Sequence, residues 1–518
     1  MSTATQLAPA VPPIEKQTTV GNYFVSNYPP FSFWKPEFVQ DALAALDRPA
    51  PADLQSAIAE EAQERRVGVL EAGRNKRSAG GLECWEGLSP SLHHSITPPH
   101  SAPPSLQPGH ALFANPQSAI HNPQPPPLGV YLHIPFCRKR CHFCYFKVYT
   151  DKDSPAIRGY IEAALRELAL YAAKPALAGR KANFVYFGGG TPSYLSVDQL
   201  TQLTQGMKQL VPWDEAEEVT FECEPGTLTS HKLEAIREMG VTRLSLGVEN
   251  FDDHILEING RAHHSKEIAR AYSFARELGF PQINIDLIAG MVEETESNWR
   301  ECVRKAIDLS PDSVTIYQME VPYNTGIYQT MKAAGQLAAP VADWETKRAW
   351  VGWAFAELEK AGYTVGSAYT AVKNKDTARF LYRDRLWAGA DLIGLGVASF
   401  GHLQGTHYQN QHDFEPYVNA VQSGRFPIYR AMTPTAEERL IREFILQLKL
   451  GQTRCDYFLK KFGVDVRERF AEPLQRLHDW GFGEVEDGTV RLSREGLLQV
   501  DRLLHEFFLP EHRNARYA

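Results

Sequence analysis

Val130-Tyr131-Leu132-His133-Ile134-Pro135-Phe136-Cys137-Arg138-Lys139-Arg140-Cys141-His142-Phe143-Cys144 is the stretch on which the reading of this chain turns. An apolar run with the texture of a strand is followed at once by a C-x3-C-x2-C loop. Three thiolates on one short loop can grip one iron–sulfur cluster, but a four-iron cube needs a ligand for each iron. One iron is therefore left open to bind and activate a small molecule. A zinc site completed by His133 or His142 is the competing reading, although no second C-x2-C pair exists in the chain. A disulfide framework is disfavoured, because the seven cysteines include this cluster and no apolar leader precedes them. Arg138, Lys139 and Arg140 would lower the thiolate pKa values and offset the negative charge of a cluster.

Working outward, the flanking sequence alternates between strand-like and helix-like segments. Strands are expected at 129–134, 183–187, 218–222, 243–247, 282–288 and 313–319. Helices are expected at 155–173, 196–210, 230–239, 265–278, 298–309 and 343–361. Repeated strand–helix units imply parallel strands joined by right-handed crossovers. The expected fold is α/β: a partial (β/α)6 barrel whose chemistry sits at the C-terminal strand ends. After Thr433 come helices at 435–450, 454–462 and 465–480, then a hairpin turning at Asp487-Gly488 and a last helix at 494–508 capped by Ser493. That order reads as a winged-helix-like C-terminal domain. Acidic and basic residues balance there, and no basic recognition helix stands out, so a packing or lid role is preferred to DNA binding.

With 518 residues the chain is too long for one core. The expected division is 1–73, an aromatic and helical segment; 74–127, a Pro-rich linker or insertion; 128–362, the barrel; 363–432, a barrel extension with substrate-side loops; and 433–518, the C-terminal domain. Hydrophobic and charged fractions of 43% and 22% fit a globular protein, and a net charge of −8 argues against a general nucleic-acid surface. No run reaches the roughly 18 apolar residues of a membrane span. Clustered reduced thiols without an export signal lead us to expect a cytoplasmic protein, and a monomer is the expected state.

Further candidates lie at successive strand ends. Phe187-Gly188-Gly189-Gly190-Thr191-Pro192 follows a strand and precedes a helix, so its glycines would let backbone approach a ligand and present open N–H groups. It lacks the phosphate-loop pattern. Glu222, Glu249 with Asn250, Arg261 and Asp286 each interrupt apolar surroundings. Any one alone reads as a surface charge or an ion pair. Together they are harder to dismiss, since buried charges are costly without partners.

The ordered set Val130–Cys137, Gly188–Pro192, Arg243–Val248, Asp286–Gly290 and Ile393–Phe400 resembles the oxygen-independent coproporphyrinogen III oxidase family of radical S-adenosylmethionine (SAM) proteins. The resemblance spans roughly residues 128–510. It implies that Cys137, Cys141 and Cys144 bind a [4Fe–4S] cluster whose open iron chelates one SAM, with a second SAM as a further option. It implies that Phe143 packs near the adenine and Tyr131 near the cluster. Gly189, Gly190, Thr191, Glu222, Arg261 and Asp286 would line the SAM site, with Glu249, Arg261 and Asp286 as the candidate catalytic side chains. Family members take an electron from an external donor, cleave SAM, and use the 5′-deoxyadenosyl radical to abstract hydrogen. In the namesake reaction a tetrapyrrole propionate loses CO2 and becomes a vinyl group. The aromatic segment Tyr23–Trp34 resembles the part that folds over the active-site mouth.

Two positions depart from the pattern. The oxidases carry a fourth cysteine where this chain has Phe146, and a glutamine where it has Glu249. The alternatives are a haem-binding chaperone of the same family and a radical SAM methylase or cyclopropanase. His402, His407 and His412 are read first as ordinary loop residues and second as contacts to a tetrapyrrole.

Overall fold

The computed structural model describes residues 25–50, 125–335, 340–513 and 515. Cys84, most of the 74–127 segment and the chain before Val25 lie outside them.

The apolar runs become strands in the order they occur. β1 (Leu128–Ile134), β2 (Phe184–Gly189), β3 (Glu218–Cys223), β4 (Arg243–Glu249), β5 (Gln282–Ala289) and β6 (Ser313–Gln318) lie side by side, each parallel to the next. Their near-continuous burial is what parallel strands covered on both faces require. β2 reads buried at every position up to Gly188. The crossover helices start on side chains that satisfy their free N–H groups. Ser196 and Gln199 form a reciprocal capping box, and Asp153, Thr229, Thr295 and Asp343 cap others.

The sheet extends at both edges. β7 (Thr364–Val365) and β8 (Thr370–Val372) continue it antiparallel beyond β6. On the other side β9 (Asp391–Leu395) runs parallel to β1. β10 (Phe400–Leu403), β11 (Thr406–Asn410) and β12 (Ile428–Met432) then follow in antiparallel order. The twelve strands run β12-β11-β10-β9-β1-β2-β3-β4-β5-β6-β8-β7, and β12 does not pair with β7. The expected partial (β/α)6 barrel is therefore open and flanked by antiparallel wings.

The glutamate at 167 ties one wing to the barrel. Buried on the helix Ser154–Ala172, it accepts from Gly396 N–H, the Tyr417 hydroxyl and Asn410 Nδ2. Burial pushes its pKa up to about 7 despite these three donors.

The C-terminal domain has its own core, centred on Phe444, Phe458, Phe470 and Phe507. β13 (Gln452–Arg454), β14 (Gly483–Glu486) and β15 (Thr489–Leu492) form a small antiparallel sheet. The hairpin turns at Asp487 and Gly488, both at positive φ, as a two-residue turn of this hand demands. The helix expected at 465–480 is two pieces, Val466–Arg469 and Ala471–Asp479. Pro473 lacks the N–H a continuous helix would need and would crowd the carbonyl four residues back. The last helix is interrupted at Gln499, where the Leu498 carbonyl accepts instead from Gln318 Nε2 at 3.1 Å. Val25 and Tyr28 of the aromatic segment are buried in this second core. Trp34 stacks on His407 at 5.1 Å, and Lys35 bridges to Ala431 of β12.

Candidate active site

The candidate cluster and SAM residues, with Glu249, His402 and His407, open onto one cavity of about 1110 Å³ at the C-terminal ends of the barrel strands, which Asn250 and His412 do not line. The cluster loop leaves β1 and is pinned from several sides. Cys137 N–H donates to Tyr149 O, and Tyr149 N–H returns to Pro135 O. His142 N–H donates to Asn259 O, and its carbonyl accepts from Ile327 N–H. Arg138 grips both Glu224 oxygens at 2.9 and 3.0 Å through Nη2, a bidentate pair that fixes the loop to the end of β3. Arg140 Nη2 closes the loop on itself through Cys144 O at 3.1 Å.

Each of two thiols meets a donor. Thr191 Oγ1 donates to Cys137 Sγ at 3.2 Å, and Arg261 Nη1 to Cys141 Sγ at 3.4 Å. Burial pushes Cys137 up to about 11 and Cys144 up to about 12, so these are thiols whose protons a bound metal would displace. Among the described residues no three His, Cys, Asp or Glu side chains converge on a single-ion site. Of the two histidines proposed for zinc, His133 is engaged at both ring nitrogens and His142 at one. His133 spends Nδ1 on Tyr131 Oη and Nε2 on Lys147 O, and His142 Nδ1 meets Ile258 O. This donor set, three thiols on one loop with hydrogen bonds aimed at two of the sulfurs, fits an iron–sulfur cube.

The glycine turn packs directly on that loop. Gly189 has φ +108°, and a Cβ there would stand 2.5 Å from His133 Nδ1. At Gly190 a Cβ would meet Ile134 O at 2.9 Å and Cys137 Sγ at 3.0 Å. The expectation of open N–H groups is not met. Gly189 N–H donates to Glu222 Oε2, Gly190 N–H to Ile134 O, and Thr191 N–H to Phe136 O. With its donors spent, the turn suits a ligand that itself donates, such as an ammonium.

Four acids surround the space beyond. Glu222 accepts from Tyr186 Oη at 2.5 Å and from Gly189 N–H at 3.1 Å. Burial raises its pKa to about 7. Asp286 accepts from Ser245 Oγ and Asn284 Nδ2, and burial raises it too. Glu249 sits at φ +63°, where β4 bulges against β5. Burial lifts it to about 7, against the pull of Arg261 at 3.6 Å. Glu224 behaves oppositely. Burial alone would raise it, but His263, Arg138 and Arg261 reverse this and hold it at about 2. Phe143 packs with Ile288 and Met319, giving the cavity an apolar slot. Tyr131 belongs to an aromatic wall with Tyr186 and Tyr382.

Sequence reasoning missed several of these groups. Glu224, Arg138 and His263 form the network that orients the cluster loop, and Glu224 was visible in Glu-Cys-Glu-Pro only as a neighbour of Glu222. Arg243 is buried, with its guanidinium 4.1 Å from the Phe380 ring and its charge acting on Glu222 and Asp286. Its strand pattern gave no sign of an inward charge. His402 and His407 are not loop residues but directly paired positions of β10 and β11.

Comparison with known proteins agrees with this geometry. Residues 131–306 match the Radical SAM superfamily, and residues 435–498 match the HemN C-terminal domain. The chain is 28% identical over 385 residues to heme chaperone HemW of Bacillus subtilis, covering 73% of this chain and 98% of that protein. It is 27% identical over 404 residues to oxygen-independent coproporphyrinogen III oxidase of Helicobacter pylori strain J99, covering 74% and 86%. The solved structure of coproporphyrinogen III oxidase (HemN) from Escherichia coli superposes with a TM-score of 0.65 at 23% identity, over 74% of this chain and 90% of that one. The cofactors are a [4Fe–4S] cluster and SAM, as throughout the superfamily. Residues 131–306 thus carry a radical SAM domain and residues 435–498 a HemN C-terminal domain, in a chain similar to oxygen-independent coproporphyrinogen III oxidases and to a heme chaperone.

Proposed function

We propose that this chain is a radical-generating enzyme that removes hydrogen from a tetrapyrrole-type substrate, in the manner of oxidative decarboxylation of propionates to vinyls. The observation that carries the reading is the single cavity of about 1110 Å³ shared by the cluster thiols, the strand-end acids and an aromatic wall. It exceeds the roughly 300–1,000 Å³ of pockets for drug-sized ligands, which leaves room for a macrocycle beside SAM.

When bound and reduced by an external one-electron donor, the cluster and SAM together supply a carbon radical able to abstract hydrogen. The protein does the rest by position. Cys137, Cys141 and Cys144 would hold the cluster, while Thr191 and Arg261 donate to its sulfurs. Glu222 and Asp286, each fixed by two donors, would accept from the ammonium and hydroxyl groups of SAM. Phe143, with Ile288 and Met319, offers an apolar slot for the adenine. Glu249 brings a second carboxyl close to Arg261, and its protonation would change the charge facing a sulfonium.

A second reading, a haem-binding chaperone, is favoured by Phe146. That side chain stacks on Tyr145 at 4.6 Å where the oxidases carry their fourth cysteine. Anaerobic incubation of reduced protein with SAM and coproporphyrinogen III separates the two. The enzyme reading predicts 5′-deoxyadenosine and CO2 in step. Haem binding with neither product would replace it by the chaperone, and S-adenosylhomocysteine would point to methyl transfer.

A further inference from the structure

The cavity wall built by β10, β11, β12 and the helix Ala436–Leu448 carries two guanidinium groups that pair with no acid among the described residues. Arg442 is only 6% exposed. Its Nε donates to Asn27 Oδ1 at 2.7 Å and its Nη1 to Leu386 O at 3.2 Å. Arg430 uses Nε on Gln409 Oε1 at 2.7 Å and Nη1 on Phe31 O at 2.8 Å. All four acceptors are neutral, and Nη2 of each arginine remains for a further partner.

Other buried cations of this region do have acids. Lys461 holds Glu443 at 2.7 Å, Lys449 holds Asp501 at 2.6 Å, and Arg180 holds Asp391 at 2.7 Å. Glu443, whose charge reaches Arg442, is thus already taken by Lys461 and by the Tyr457 hydroxyl. Burial lowers Arg442 to about 10, a sign that its charge is held without full compensation. His402 and His407 beside it bring no negative charge, and burial keeps both neutral.

We propose that Arg430 and Arg442 are the seat of a substrate carboxylate, and that this seat selects carboxylate-bearing macrocycles over neutral ones. The assignment rests on the tetrapyrrole reading above. A guanidinium with a free edge matches a carboxylate in shape and charge, and the chamber that admits the macrocycle is the one both arginines line. The acceptors Asn27 and Phe31 belong to the aromatic N-terminal segment, so docking of the carboxylate and closure of that segment use the same two side chains.

Equilibrium titration of the full-length protein with coproporphyrin and with its tetraamide, followed by porphyrin fluorescence, tests this. Wild type is expected to bind the acid at least about tenfold more tightly than the amide, the scale of a hydrogen bond to a charged group. R430Q and R442Q should each remove most of that preference while leaving amide binding unchanged, and R442K should restore part of it. Should R442Q fail to fold, the less buried R430Q carries the test. Acid and amide binding equally to wild type, or R430Q keeping the wild-type preference, would overturn the seat and leave the tetrapyrrole reading standing. Binding of neither porphyrin to wild type would reject the tetrapyrrole reading, and the seat with it.

Discussion

At the scale of single residues, the contacts around the glycine turn are too close to vary. Gly189 touches His133, which in turn fixes Tyr131 and the Lys147 carbonyl of the cluster loop. Gly189→Ala would add a Cβ 2.5 Å from an imidazole nitrogen, at φ +108°. Backbone strain of about 1–3 kcal/mol is expected, with SAM affinity down by more than tenfold in equilibrium dialysis of the reconstituted protein. Wild-type affinity in this variant would show that the turn is not the SAM seat. The three cysteines and the glycine turn were legible in the sequence because their chemistry depends on local spacing. The direction of the turn's hydrogen bonds was not, since Gly189 N–H finds Glu222 across the sheet. Arg442 was equally hidden, because nothing in a helical pattern of alternating charge marks a guanidinium left without a paired acid.

At the scale of elements, the barrel strands and crossover helices lay within a few residues of where periodicity put them. Hydrophobic texture is strongest for parallel strands buried on both faces. The exceptions have local causes: Pro473 splits one C-terminal helix, Gln318 captures the Leu498 carbonyl of another, and β4 runs on through a bulge to Glu249. The short strands β7, β8 and β13 were missed, being two or three residues long, as were β9 to β12, whose stretch was read only as a barrel extension. Glu167 joins elements that sequence cannot connect. Glu167→Ala would orphan the Gly396 N–H, the Tyr417 hydroxyl and Asn410 Nδ2 while opening a cavity. The expected cost is about 2–5 kcal/mol in urea unfolding. A loss below about 0.5 kcal/mol, the scale of ordinary surface changes, would mean that the wing is held by apolar packing alone.

At the scale of the whole molecule, buried ionisable groups give stability a defined pH dependence. Burial raises Glu167, Glu222 and Glu249 to about 7 and Glu294 to about 8. As pH falls from 8 towards 7 the folded protein takes up protons that the unfolded chain does not, so stability rises. His133 and His402 are held down at about 4 and about 3 by burial. Below their ordinary 6.5 the unfolded chain takes up protons that the fold refuses, which opposes the gain from the carboxyls. The urea midpoint of the cofactor-free protein should therefore rise as pH falls from 8 to about 6.5 and rise less steeply below that, since the four carboxyls outnumber the two histidines. A midpoint still climbing at pH 8 would contradict these assignments. No helix among the described residues is long and apolar enough to cross a membrane, and the chemistry is concentrated in one cavity. The central claim is that Cys137, Cys141 and Cys144 hold a cluster with one iron open to SAM. Electron paramagnetic resonance of the reconstituted, reduced protein with and without SAM tests it most directly. A [4Fe–4S] signal from about four irons per chain, altered by SAM and abolished in Cys141→Ala, is the predicted result. Bound zinc in place of iron, or a cluster signal that SAM leaves unchanged, would contradict it.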